Sequence, residues 1–277
     1  MLKDLAEVVR YRELLLNLVV RDLKVRYKSS VLGFFWSLTN PLLQVATITI
    51  VFKFIMKVTI PNYSAYVLCA FLPWTFFQMS VLDSATSVLF HSHMVKKTYF
   101  PREILPASIV LSNLVHFILA LGVFFIYLKL YLRTDILITW LLLPVVVFIQ
   151  LLLNTGVAFF VSCLNVFYND IKYVATVVLS LLFYLTPIIY LAEQIVYSGR
   201  VPAAYKPLVV GIYNVNPLSF LVTAYRKLLL PGYNAAGIHD IPLNYWYLAL
   251  AGLTSLLIFI AGYAFFNSKK WYFAERV

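Results

Sequence analysis

Residue types that carry chemistry are sparse in this sequence. Asp83 is the one carboxylate well inside a long apolar stretch, and His116 stands near the middle of the next. Ionisable groups inside a membrane span mark ion or proton paths by default, so the two raise an ion-coupled secondary transporter. Such a relay needs several groups, and a pair fits a buried polar contact between two helices better. His91 and His93 are two residues apart with no accompanying carboxylate, a weak ligand set, and no metal site is expected. No GxxxxGK[ST] loop, HExxH, GxSxG or Asp-x-Asp pair occurs. The chain is therefore expected to have no ATPase site of its own, no catalytic residues and no cofactor. A membrane-embedded glycosyltransferase would need convergent acids or histidines at one membrane face, and none are grouped so. Uncharged polar residues do recur within apolar stretches: Asn40, Gln44, Gln78, Asn113, Gln150, Asn154 and Thr186. With 20 Tyr, 22 Phe and 5 Trp, they could line a path for sugars or a lipid-linked polymer, or serve packing and interfacial belts.

The elements that must position these residues are set by composition. Of 277 residues, 62% are apolar and 12% charged, about half the charge of a soluble domain, and the mean hydropathy is +0.88. That excludes a soluble globule and a disordered chain, and leaves an all-α polytopic membrane protein. Six stretches are long enough to span: Phe34–Phe52, Tyr66–Phe90, Leu105–Leu130, Ile136–Phe167, Val174–Leu191 and Tyr245–Phe266. With both termini inside, fourteen of the 22 Lys and Arg fall on the inner side, as the positive-inside rule requires. The net charge of +11 then belongs to the inner membrane face, and no nucleic-acid partner is expected. The first 24 residues mix charges with apolar residues, unlike a cleavable signal peptide. This topology puts Cys69 near the outer end of the second span and Cys163 near the inner end of the fourth, too far apart to bridge.

Four segments are not spans. Residues 1–30 read as an amphipathic helix on the inner surface. Leu2, Leu5, Val9, Leu16, Val19 and Val20 form its apolar stripe, and Lys3, Arg10, Arg12, Arg21, Lys24, Arg26 and Lys28 supply its charge. The basic run from Arg21 leads into Gly33, Trp36 and Pro41, an anchored start to a bent helix. Between spans two and three, His91–Glu103 is basic, aromatic and inward-facing. It is more elaborate than a connector needs, so it reads as a docking element, with Pro101 opening the next helix. Residues 192–244 hold five prolines and two apolar runs too short to span, suggesting re-entrant segments on the outer face. Residues 267–277 form an inner tail.

Three stretches resemble one family. Arg21 to Trp36 running on to Asn40-Pro41-Leu42, then Lys96-Lys97-Thr98-Tyr99-Phe100-Pro101-Arg102-Glu103-Ile104-Leu105-Pro106, then Leu164 to Lys172 followed by Tyr184-Leu185-Thr186-Pro187-Ile188, are similar to the ABC-2 type permeases that export O-antigen, capsule or teichoic acid. The resemblance implies a single transmembrane domain over 1–277 in the bacterial cytoplasmic membrane. It implies a homodimer joined to two copies of an ABC ATPase carrying ATP and Mg, moving an undecaprenyl-linked polysaccharide. Lys96, Lys97, Tyr99, Phe100, Pro101, Arg102 and Glu103 would form the coupling helix, with Asn169, Asp170 and Lys172 a smaller contact. The N-terminal helix would be the interface helix, and 192–244 the outer gate. Trp36, Asn40, Gln44, Tyr184, Thr186, Pro187 and Tyr190 would flank the path. On this reading, Tyr99→Ala with Phe100→Ala should uncouple the ATPase and leave the membrane fold intact.

Overall fold

A computed structural model describes residues 7, 10–27, 34–57, 62–130, 132–133, 138–190, 205, 216–230, 243 and 245–276; at 27, 34–38 and 40–41 the description is of backbone alone. The expected stripe positions Leu2, Leu5 and Val9, the charges Lys3 and Lys28, the side chains of Trp36 and Asn40, and most of 192–244 lie outside the described residues.

The described regular elements are helices. They are α1 (Arg12–Tyr27), α2 (Phe34–Thr49) with a π-helical continuation Ile50–Ile55, α3 (Tyr63–Ala85), α4 (Ser87–Phe90), α5 (Ser92–Lys97) and α6 (Ile104–Leu130). A 3-10 turn at Ile138–Leu142 leads into α7 (Leu143–Phe167), followed by α8 (Ile171–Leu185), α9 (Pro217–Leu229) and α10 (Tyr245–Lys269). A second 3-10 turn, Lys270–Tyr272, then leads to α11 (Phe273–Arg276).

Four of these run long and apolar enough to cross a membrane, namely α3, α6, α7 with its leading turn, and α10 with its tail. Leu42–Ile55 and Ile171–Leu185 are shorter apolar helices. The 27 residues of α6 reach about 40 Å at 1.5 Å per residue, more than the hydrocarbon thickness. The expected second span is interrupted at Thr86, where α3 gives way to the single turn α4. The expected fifth span is a 15-residue helix. It stops at Leu185 because Thr186 precedes Pro187 and is held extended (φ −91°, ψ 136°), as a residue before proline prefers.

α3 is the central helix: 78% of its apolar window is buried, against 28–39% for the other three long helices. It carries Pro73 in its interior, which removes one backbone donor. Gln150 Nε2 of α7 donates to the Pro73 carbonyl (2.7 Å), fixing the two helices at that point. Elsewhere α7 and α10 meet backbone to backbone. A Cβ on Gly156 would lie 2.6 Å from the Phe259 backbone, and one on Gly262 would run into the Gly156 carbonyl. Small residues that allow such approach are the usual means of helix packing in a membrane, where burial away from water contributes little.

The packing separates into two tiers. The larger joins α3, α6, α7 and α9 around Phe76, Phe117, Trp74 and Tyr225. The smaller gathers Leu18, Val88, Val95, Phe100, Ile104, Leu105, Phe159, Cys163, Phe266 and Phe273 at the α5 end. Cys69 lies in the first and Cys163 in the second, both buried and free, as the topology requires.

The N-terminal helix is present, but its buried face differs from the expected stripe. α1 lies along α6 and turns Leu18 and Val19 inward with Tyr11, Leu14 and Leu15 beside them, while Leu16 and Val20 are exposed. The helix is apolar on more than one side, so the 100° pattern does not single out a face. Packing on α6 selects the 11, 14, 15, 18, 19 set, spaced three and four apart.

Candidate functional site

At the α5 end, a six-residue helix and an extended loop lead into α6. The expected coupling helix over Lys96 to Glu103 is differently placed: α5 covers Ser92–Lys97, and Thr98 is extended at φ −130°, ψ 145°. The loop then turns at Pro101, whose carbonyl accepts from the Ile104 N–H (3.1 Å). Lys96, Lys97 and Thr98 are exposed, and Tyr99 is 76% exposed. Phe100 is 7% exposed and sits in the smaller tier, with Pro101 and Glu103 buried beside it. The candidate residues therefore divide. Lys96, Lys97 and Tyr99 face outward, and Phe100, Pro101 and Glu103 hold the loop to the bundle.

Glu103 is held by a residue the sequence reading left among the tail charges. Lys270 Nζ donates to Glu103 Oε1 at 2.7 Å, with Glu103 only 1% exposed. Arg102 Nη1 donates to the Lys270 carbonyl. Burial draws the Arg102 guanidinium below its ordinary pKa, and the neighbouring Glu103 opposes this. A cleft of about 70 Å³ opens between Glu7, Thr98, Tyr99, Lys270 and Trp271. Phe273 packs on Phe266 and Phe167, with ring centroids 5.2 and 6.1 Å apart.

Arg26 departs from the expected surface row. Arg10, Arg12, Arg21 and Lys24 are exposed, although Arg21 Nη2 also meets His91 Nε2. Arg26 reaches into the bundle, where Nη2 pairs with Asp83 Oδ2 at 2.9 Å and Nη1 donates to Asn113 Oδ1 at 3.0 Å. Asn113 Nδ2 closes the triangle on Asp83 Oδ2 at 3.2 Å. Asp83 is thus a polar contact between α3 and α6, as the sequence suggested, with α1 added as its cation. Arg26 recurs every three to four residues with Leu15, Leu18, Val19 and Asp22, a spacing that could have revealed its inward face.

The turn between α7 and α8 is tied by Asn165, whose Oδ1 accepts from the Lys172 N–H (3.1 Å). Asn169, Asp170 and Lys172 themselves are exposed.

At the other end, the candidate path residues Thr186 and Pro187 are buried in a seam, with Tyr190 half-buried at its edge. α9 begins with Asn216 accepting from the Leu218 N–H (3.0 Å) and Pro217 in its first turn, a strong start signal. Asn216 Nδ2 also donates to Thr186 Oγ1 (3.0 Å). Arg226, 5% exposed, donates to the carbonyls of Pro187 and Ile188 (both 2.5 Å) and Tyr66 (3.2 Å). Tyr225 reaches Gln150 Oε1 at 2.7 Å, so α9 is packed within the bundle against α3, α7 and α10. Gln44 and Tyr184 are exposed instead. Sequence reasoning missed Arg226. Its only signal was a basic pair closing a short apolar run between two prolines.

The match to known proteins is extensive. Residues 13–230 match the family model described as ABC-2 type transporter. The chain is 33% identical over 265 residues to the O-antigen export system permease protein RfbA of Klebsiella pneumoniae, covering 95% of this chain and 94% of that one. It is 30% identical to the protein of the same name from Myxococcus xanthus, over the full length of both. With the family matched across most of its length and relatives alike from end to end, this multi-pass membrane protein belongs to the ABC-2 type transporter family.

Proposed function

We propose that the chain is the membrane subunit of an ATP-driven exporter of a lipid-linked, O-antigen-like polysaccharide. It acts in the bacterial cytoplasmic membrane with both termini in the cytosol. The observation that carries this is the end-to-end likeness to permeases named for O-antigen export, with no phosphate loop in the chain to supply energy. The energy comes from a separate ABC ATPase that binds ATP and Mg, and two copies serve a homodimer of this chain.

Geometry supports the division of labour. The exposed Lys96, Lys97 and Tyr99, with Asn169, Asp170 and Lys172, offer a basic and aromatic face to the ATPase. α2 and α8 both pack on α3, and each leaves much of its surface bare. On α8 the exposed row runs Thr176, Ser180 and Tyr184, hydroxyl-bearing and one turn apart. On α2, Gln44 and Thr47 are exposed. These rows suit a glycan path between two protomers, with the undecaprenyl chain against the neighbouring apolar residues.

The test is to purify the chain with an ATPase from the same genome in lipid nanodiscs. ATP hydrolysis is then measured with and without undecaprenyl-linked glycans. A two-plus-two complex whose hydrolysis responds to one glycan is the expected result. Failure of every such ATPase to associate would overturn the reading.

A further inference from the structure

We infer, resting on the reading that an ATPase seats at the α5 end, that the buried Glu103–Lys270 pair is the clamp that carries the ATPase's movement into α10 as well as α6. Glu103 and Lys270 are then positioning residues of the transport cycle.

The loop after α5 is covalently continuous with α6 alone. The segment that continues α10, Lys270–Arg276, lies about 167 residues away in sequence, yet it is fastened to that loop at three points. Lys270 pairs with Glu103 at 2.7 Å, Arg102 holds the Lys270 carbonyl, and Phe273 shares the smaller tier with Phe100. Oε2 of Glu103 is buried with no hydrogen bond. Separating the pair would strand a carboxylate whose other oxygen is already dry, so the pair stays joined while the loop moves. Packed elements shift as rigid bodies, and α10 is locked in turn to α7 by the Gly156–Gly262 contact. A push on α5 therefore moves α6, α10 and α7 together. α2 packs chiefly on α3, and α8 on α3 and α7, so neither is fastened to the loop itself.

The experiment places spin labels on the nanodisc complex at Phe90→Cys, at the end of α4 next to the docking loop, and at Ser268→Cys, on α10. Both positions are exposed, and the native cysteines are buried. Distances between protomers are read by pulsed EPR with and without ATP trapped by vanadate. In the otherwise native complex both labels should shift. Lys270→Arg, which keeps the cation, should preserve the shift at 268. Lys270→Met and the isosteric Glu103→Gln should abolish it, leave the shift at 90, and lower glycan export roughly tenfold. An undiminished shift at 268 in either variant would overturn the clamp. Should Lys270→Met not fold, Glu103→Gln carries the test. A native complex with no shift at 90 would overturn the docking reading, and the clamp with it.

Discussion

Arg226 donates through Nε, Nη1 and Nη2 to three carbonyls, and its guanidinium carbon lies 3.6 Å from the centroid of the Tyr66 ring. Removing it leaves those acceptors dry, at about 1–3 kcal/mol for each unsatisfied group. Arg226→Ala should therefore lower the thermal midpoint in nanodiscs by several degrees. Arg226→Lys should fall between, since an ammonium lacks the planar fork. Equal midpoints for all three proteins would mean the seam is held otherwise. Asp83 sits differently, partly exposed in its pair with Arg26, so solvent screening limits what the pair contributes. Asp83→Asn should cost about 1 kcal/mol or less and leave ATP-driven export in place. Export that stopped in this variant and followed an ion gradient in the native protein would restore the ion-coupled alternative.

Among the elements, α7 and α10 depend on having no side chain between them. Gly262→Ala forces a methyl group into the Gly156 backbone, a contact no rotamer change relieves, and should destabilise by about 3 kcal/mol or more. Loss of monodisperse protein on size exclusion checks it, and Gly122→Ala, which meets open space, is the control. The loop after α5 divides in the same way. Lys96→Ala with Lys97→Ala and Tyr99→Ala should leave the melting profile unchanged and weaken ATPase association. Phe100→Ala should cost about 3 kcal/mol from the inner tier, so a Tyr99 and Phe100 double variant mixes docking with folding. How legible these elements were follows from their physics. The long apolar spans and the Pro101 and Asn216-Pro217 helix starts are local signals, readable from residue type and spacing. The buried face of α1, the fastening of Glu103 by Lys270 and the burial of Arg226 depend on contacts across 39 to 167 residues, which no local pattern encodes. A charge beside an apolar run reads as a surface charge until the fold supplies its partner.

For the molecule as a whole, the proposed homodimer would meet along the bare sides of α2 and α8. Val177→Cys and Leu181→Cys, both exposed at present, should form cross-links between protomers in the resting complex when oxidised. Leu257→Cys on α10, also exposed, should not. Cross-linking at 257 alone would move the dimer seam to the opposite side. The same whole-molecule view gives the α7–α10 contact a genetic consequence. Because each glycine occupies space the other helix needs, neither position can be improved by a single step toward a larger residue. In a saturation library scored for export, positions 156 and 262 should tolerate almost nothing but glycine. Survivors at either should carry a second change at the other or at Phe259, so this stretch of sequence drifts in pairs or stays fixed.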